Sequence, residues 1–399
     1  MLGERVFIVA AKRTPFGRFR GALSGLGAVE LVRAAAEAAC AGLERELISR
    51  LILGVCLPAG QGMNLARQAA LACGLSQAAT GYTINMMCGS GLKALAAGAD
   101  LIRLGEVRAV LAGGVESMSQ SPLLVARPGK GQSVDVNQIS DSMLLDGLRD
   151  TGIGEHMGET AERLAGEFGV SRVEQDLWAV RSQLLYAEGL AGGEFRDELA
   201  EAGGVSADEH PRPGVGLSEL SGLRPIFSET GTVTAGNSSG INDGAAVAVL
   251  ASESLVAERG WPVLCEWVGA FEQGCDPLRM GLGPVYAAAG LLERHGLRWD
   301  EIDQLEINEA FAAQVLSCLS ALGLGETVRA VAVSQRPRVN VHGGAIAVGH
   351  PLAASGARLA VHQAWQIARG RAGTCVSALC IGGGMGIAAL LRSAGGIRN

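Results

Sequence analysis

The stretch SGLKALAAGADLIRLGEVRAVLAGG, residues 90–114, reads as one helix, a short loop and one strand. Ser90-Gly91 opens an alanine- and leucine-rich helical run predicted over 89–104, and the apolar AVLAGGV closes on Gly113-Gly114. The same order returns at 355–383: Ser355-Gly356 opens a helix predicted over 354–369, and TCVSALC leads to Gly382-Gly383. One such match is weak evidence for duplication. It gains weight because the elements around each copy also follow one order.

Before the first copy come RVFIVAA, a helix over 28–43, LILGVCL, a helix over 64–74 and GYTINMM. Before the second come QLEINEAFAAQ and RVNVHGG. Short β-branched runs alternating with helical patterns predict an α/β layered fold. Residues 119–241 lose the alternation and gain turns, charge and prolines 122, 128, 211, 213 and 225, so they read as an insertion. Within it, GETAERLAGEFGVSRVEQDLWAVRSQLLYAEG predicts two helices, each with an acidic start. An irregular segment of that size inside a compact enzyme usually covers or forms a binding site.

Composition narrows the function. The 399 residues are 48% hydrophobic and 18% charged, far from the range of disordered chains. A formal net charge of −7 argues against nucleic-acid binding. The N-terminal MLGERVFIVAAKRTPFGRF has no apolar run of signal-peptide length, and no uninterrupted apolar run reaches membrane-spanning length, so neither export nor membrane insertion is expected. Nine cysteines without a CxxC pair predict reduced thiols in the cytoplasm rather than a disulfide framework or a zinc site. Cys40, Cys73 and Cys318 lie in helical stretches and are expected to be small core residues.

Three glycine-lined turns carry reactive residue types: Cys88 in INMMCGSGLKAL (84–95), His350 in HGGAIAVGHPLAASG (342–356) and Cys380 in VSALCIGGGMG (376–386). Cys88 stands at a helix start, where the helix dipole and a basic partner lower a thiol pKa from about 8.5 towards roughly 3.5–7.5. His350, on a turn of small residues, is placed to accept its proton. Cys380 ends an apolar strand, so its sulfur is expected to be exposed at the strand's carboxyl end. Acyl transfer through a thiolate is the chemistry this set suits.

Seven stretches resemble the thiolase family, in order along the chain: INMMCGSGLKAL, GGVESMS (113–119), HMGETAE (156–162), GTVTAGNSSGINDGAA (231–246), NEAFAAQ (308–314), GGAIAVGHPLAASGAR (343–358) and CIGGGMG (380–386). The resemblance implies the thiolase fold: two duplicated βαβαβαββ halves in αβαβα layers, with an inserted loop domain. The halves would be 1–118, completed by about 242–263, and 264–399; the insertion at 119–241 would bind coenzyme A. It further implies that Cys88 carries the acyl group and that His350 activates it. Cys380 would remove the α-proton of a second acyl-CoA, and the enolate oxygen would be held by His350 and a water on Asn308. Backbone N–H groups of Cys88 and Gly382 would stabilise the tetrahedral oxyanion. Read from residue type alone, Asn308 could instead cap the following helix.

Coenzyme A thioesters are then substrates, and neither a bound cofactor nor a metal is expected. The resemblance places Arg212 at the nucleotide end, Ser239 against the pantetheine amides, and Phe227, Phe311 and Ala310 along the tunnel. His156, Met157 and Met280 resemble the short-chain branch, which condenses two acetyl-CoA into acetoacetyl-CoA. A broad-range 3-ketoacyl-CoA thiolase of fatty-acid β-oxidation is the alternative. Glu219 departs from a serine common in relatives. The family forms homodimers or homotetramers, and the same is expected here.

Overall fold

The computed structural model describes residues 3–131, 133–135, 137–325 and 338–395, so the extreme ends of the two expected halves, 1–2 and 396–399, lie outside the described residues. The first half runs β1 (Val6–Arg13), α1 (Ala28–Ala39), β2 (Arg50–Gly54), α2 (Leu65–Ala72), β3 (Thr80–Ile84), α3 (Ser90–Arg103) and β4 (Ala109–Ser117). An intervening segment holds α4 (Met157–Phe168) and α5 (Arg172–Ala191), and β5 (Asn242–Ser252) follows. The second half runs β6 (Cys265–Gly274), α6 (Gly283–His295), β7 (Gln304–Ile307), α7 (Ala312–Ala321), β8 (Arg338–Val339), α8 (Leu352–Ala368), β9 (Thr374–Ile381) and β10 (Met385–Arg392).

The sheet order makes the duplication visible. The first half reads β1-β5-β4-β2-β3 and the second β6-β10-β9-β7-β8. The first two pairings are antiparallel and the last two parallel in each half. The two sets join through a short antiparallel contact of β1 with β6, Phe7 opposite Glu266 and Ile8 opposite Cys265. Both halves are therefore βαβαβαββ units. They differ in one connection: the intervening segment separates β4 from β5, whereas three glycines alone join β9 to β10.

Strand alternation builds the layers. Phe7 and Val9 of β1 join Leu31, Val32, Leu65 and Ala69 of α1 and α2 on the outer side of the first sheet. Val6 and Ile8, facing the other way, join Leu92 and Leu95 of α3 with Leu359 and Val361 of α8 between the sheets. Ala287, Leu291, Val315 and Leu319 of α6 and α7 cover the far side of the second sheet. Five layers, αβαβα, result.

Local chemistry sets the helix ends. The helix expected over 28–43 stops at Ala39, with Cys40 as its C-cap and Gly42 in the left-handed region at φ +81. In the intervening segment, α4 ends on Gly169 at φ +65, and Ser171 caps α5 by accepting from Glu174 N. The central contact of α3 with α8 needs its glycines. A Cβ on Gly91 would stand 2.4 Å from Ala353 O, and one on Gly114 only 1.9 Å from it. Among the described residues no helix is long and apolar enough to cross a membrane.

Candidate active site

Helices α3 and α8 hold the same place in the two halves, and the turn before each carries a reactive side chain. Before α3, Asn85 Oδ1 accepts from Met87 N at 3.0 Å, and Met87 takes φ +46, unusual for a residue with a side chain. Ser90 Oγ accepts from Met86 N at 2.8 Å and donates to Met87 O at 2.6 Å. These bonds fix the turn that presents Cys88.

Before α8, Gly349 at φ +108 approaches Asn242 so closely that a Cβ would lie 2.5 Å from its amide carbon. Asn242 Oδ1 accepts from His350 N at 2.9 Å. Ser355 Oγ lies 2.5 Å from His350 Nδ1 and 2.9 Å from Pro351 O. A carbonyl only accepts, so the single hydroxyl proton goes to Pro351 and His350 Nδ1–H must donate to Ser355. That tautomer leaves Nε2 with its lone pair, 3.5 Å from Asn308 Nδ2. A proton acceptor therefore faces the site.

Asn308 follows β7. Its N–H donates to Ala378 O at 3.0 Å, and its Oδ1 is buried without a partner among the described residues. The neighbouring Glu309 anchors this corner by accepting from Trp178 Nε1, Ser182 Oγ, Asn340 Nδ2 and Ile346 N. The following helix begins at Ala312 with Phe311 as its N-cap, so the capping role weighed for Asn308 is not the one it plays.

Cys88, His350, Cys380 and Gly382 line one cavity of about 390 Å³ together with His156, Met157, Arg212, Phe227, Ser239, Met280, Ala310 and Phe311. Asn308 reaches it through His350. On one wall the His156 ring stacks on Phe227 at 4.7 Å, and Phe227 meets Phe311 edge-on at 6.0 Å. His156 Nδ1 accepts from Gly158 N, and Gly158 is a glycine because a Cβ there would meet Phe227 at 2.1 Å. Met157, Met280, Phe227 and Phe311 cluster against Cys380. Ser239 N donates to Ala310 O at 3.0 Å, which fastens the GNSSG loop to NEAFA. Arg212 is exposed at the rim, its N–H held by Gln183 Oε1.

Two expectations need correction. Cys380 is 2% exposed, not open at the strand end, because the α4 region and the 233–311 wall close over it. Its thiol pKa stands well above the usual value through burial, with the nearby Cys88 adding to the shift. The Cys88 thiol is likewise raised, to about 12, rather than lowered. Burial outweighs the helix start; the backbone N–H groups of Cys88 and Gly382 pull in the opposite direction. The same burial, with Arg358 adding to it, lowers His350 to about 4. Neutral thiols and a neutral imidazole are the resting forms.

Glu219, where a departure from the family was noted, caps the short helix Leu217–Ser221 by accepting from Gly216 N at 3.0 Å and lies outside the cavity wall. Sequence reasoning passed over Ser355, Asn242 and the apolar rim residues Leu144, Leu148 and Ile226. Only Ser355 left a signal, the Ser-Gly repeat it shares with Ser90. Among the described residues no group of three or more His, Cys, Asp or Glu is placed to hold a metal ion.

Residues 6–254 match the family model for the thiolase N-terminal domain and residues 261–393 that for the thiolase C-terminal domain. An acetyl-CoA acetyltransferase of Pseudomonas aeruginosa is 42% identical, covering 97% of this chain and 99% of its own length. One from Shinella zoogloeoides is 41% identical, with 97% and 98% covered. Among solved structures, the Bacillus anthracis acetyl-CoA acetyltransferase superposes with a TM-score of 0.91 at 38% identity, covering 98% and 99%. Human mitochondrial 3-ketoacyl-CoA thiolase in complex with CoA gives 0.91 at 38% identity, with 98% of each chain covered.

Proposed function

The chain belongs to the thiolase family, and from that premise we propose that it is an acetyl-CoA C-acetyltransferase condensing two acetyl-CoA into acetoacetyl-CoA and CoA, reversibly. The observation that carries this is the convergence of Cys88, His350, Cys380 and Gly382 on one cavity, with His350 Nε2 left as an acceptor.

In the first stage the Cys88 proton passes to His350 Nε2 while sulfur attacks the thioester carbonyl. The oxyanion meets the N–H groups of Cys88 and Gly382, the carbon–sulfur bond to CoA breaks, and the CoA sulfur takes the proton from His350. In the second stage His350 takes the Cys380 proton, and the Cys380 thiolate removes the α-proton of a second acetyl-CoA. The enolate oxygen lies against His350 and a water on Asn308, and its carbon attacks the acetyl carbonyl on Cys88. The Cys88–acyl bond breaks, and the released thiolate recovers a proton from His350. Because burial favours the neutral forms, each charge exists only while a substrate and fixed dipoles surround it.

The wall of Met157, Met280, Phe227 and Phe311 against Cys380 supports a short acyl group. The exposed Arg212 suits the anionic nucleotide end of coenzyme A, and Ser239 suits the pantetheine amides. Nine free thiols fit a reducing compartment, the cytoplasm. A homodimer or homotetramer is supported by the half-exposed edge strand β3 and by the exposed Leu123, Val125 and Ile139.

The test is the rate of acetoacetyl-CoA formation from acetyl-CoA, with thiolytic kcat/KM compared on C4 and C8–C12 3-ketoacyl-CoAs. Preference for C4 is expected. Equal or better use of C8–C12 would establish the broad-range degradative enzyme instead.

A further inference from the structure

Glu116 is a carboxyl residue with 0% exposure, next to last in β4, held by three backbone N–H donors, with the Cys56 thiol also hydrogen-bonding to it. Oε2 accepts from Cys56 N at 3.1 Å and from Ala353 N at 3.1 Å; Oε1 accepts from Leu57 N at 3.0 Å. One carboxylate thus ties three segments remote in sequence: the end of β4, the loop after β2 and the first turn of α8. No cation is recorded as its ion-pair or hydrogen-bond partner among the described residues.

Both sides of this carboxylate lead to the catalytic turns. Ala353 is three residues beyond His350, and its carbonyl sits where a Cβ on Gly91 of α3 would clash at 2.4 Å. With its N–H on Glu116 and its C=O against α3, the Ala353 peptide fixes the His350 helix relative to the Cys88 helix. On the other side, the Cys56 thiol lies 3.8 Å from Ser90 Oγ, the hydroxyl that pins the Cys88 turn.

Resting on the thiolase reading above, we propose that Glu116 is a positioning residue that holds the Cys88 turn and the His350 helix in register across the interface between the two halves. It touches neither substrate nor reacting atom. Sub-ångström placement of a base is worth this much structure, since a misplacement of about 1 Å can cost on the order of 10²-fold in rate. The titratable groups facing Glu116 are the thiols of Cys56 and Cys88; its negative charge raises both, while burial pushes its own carboxyl up to about 7.

Two substitutions separate reach from charge. Glu116→Gln keeps the length, removes the charge and turns one acceptor into a donor facing N–H groups. Glu116→Asp keeps the charge but falls a methylene short. Both are expected to lower kcat roughly 10- to 100-fold with KM changed less than about threefold. The pH midpoint for alkylation of Cys88 by iodoacetamide should fall in Glu116→Gln and stay in place in Glu116→Asp. Turnover within twofold of the parent in either folded variant would overturn the proposal. So would loss of turnover in both with the Cys88 midpoint unmoved in Glu116→Gln, which would mark a residue serving stability alone. Should Glu116→Gln fail to fold, Glu116→Asp decides by the split between kcat and KM. The alkylation midpoint needs no substrate, so a parent enzyme inactive on acetyl-CoA would defeat the functional reading without touching this one.

Discussion

Ser90 and Ser355 occupy the same place in the two halves, in the first turns of α3 and α8, yet they do different work. Each donates its hydroxyl proton to a carbonyl of the preceding turn, Met87 O or Pro351 O. Ser90 then accepts from a backbone N–H and so stiffens the turn holding Cys88. Ser355 accepts from the His350 ring and so fixes which nitrogen is free. One duplicated scaffold thus yields a pinned thiol on one side and an imidazole of defined tautomer on the other. The difference lies in what the equivalent hydroxyl finds to accept from.

The largest effect should come from breaking the division between the halves. Cys88→Ala is expected to abolish both CoA release and condensation, by at least ~10³-fold. Cys380→Ala should lose condensation to a similar degree while keeping a single stoichiometric burst of CoA from acetyl-CoA, read by thiol titration. A burst in Cys88→Ala, or none in folded Cys380→Ala, would reverse the roles assigned to the two sulfurs.

Next come Gly114, inside β4, and Gly382, just after the equivalent strand β9. Gly114→Ala places a methyl 1.9 Å from Ala353 O, where backbone must give way, and should destabilise by roughly 3 kcal/mol or more. Gly382→Ala meets only flexible side-chain atoms, the Met157 sulfur at 3.4 Å and Met87 Cγ at 3.9 Å, and should cost less than about 1 kcal/mol. Urea denaturation compares them. Equal stabilities would mean that the α3–α8 contact is looser than these distances imply.

A smaller separation is expected between the two serines. Ser355→Ala frees the imidazole tautomer and should lower kcat about tenfold or more, with little change in melting temperature. Ser90→Ala should cost about 1 kcal/mol of stability and affect kcat less. The reverse ranking would place the tautomer under another group's control.

The smallest effect concerns acid. The first half contains no histidine. The second half holds His350 and His342, and the intervening segment holds His210, each lowered to about 4, with burial as the largest cause. The unfolded chain binds protons at these sites near pH 6.5 and the native fold does not. Their contribution is therefore full above about 6.5 and is lost as pH falls towards 4. Glu116, raised to about 7, acts the other way: its contribution is full below about 4.5 and is lost as pH rises through 7. Melting temperature should fall between pH 6.5 and 4 because these histidines, joined by His156 and His295 shifted the same way, outweigh the raised carboxyls Glu116, Asp243 and Glu306; a rise would show that the carboxyls dominate.

Much of the fold was legible because the signals are local. The run from Ser90 to Gly114 and its counterpart at 355–383 predicted their helices to within two residues at either end. The helix at 28–43 was overrun, because alanine and cysteine carry the pattern past Ala39 and the stop depends on a backbone turn at Gly42. Cys88, His350 and Cys380 stood out as residue types in glycine turns, and Asn308 through the resemblance of NEAFAAQ to the family. Asn242 and Glu116 did not, since nothing nearby in sequence says that one would hold the His350 N–H and the other the Ala353 N–H.

The sequence by itself determined the alternation of strands and helices, its return near the end of the chain, and which side chains stand at the turns, because periodicity and glycine placement act over a few residues, while the full βαβαβαββ plan was what the family resemblance implied. Only the tertiary structure decided the charge states and the tautomer. Burial that raises Cys88 and Cys380 and lowers His350 comes from walls supplied by both halves and the intervening segment, and desolvation depends on what surrounds a group in space, whatever its place along the chain.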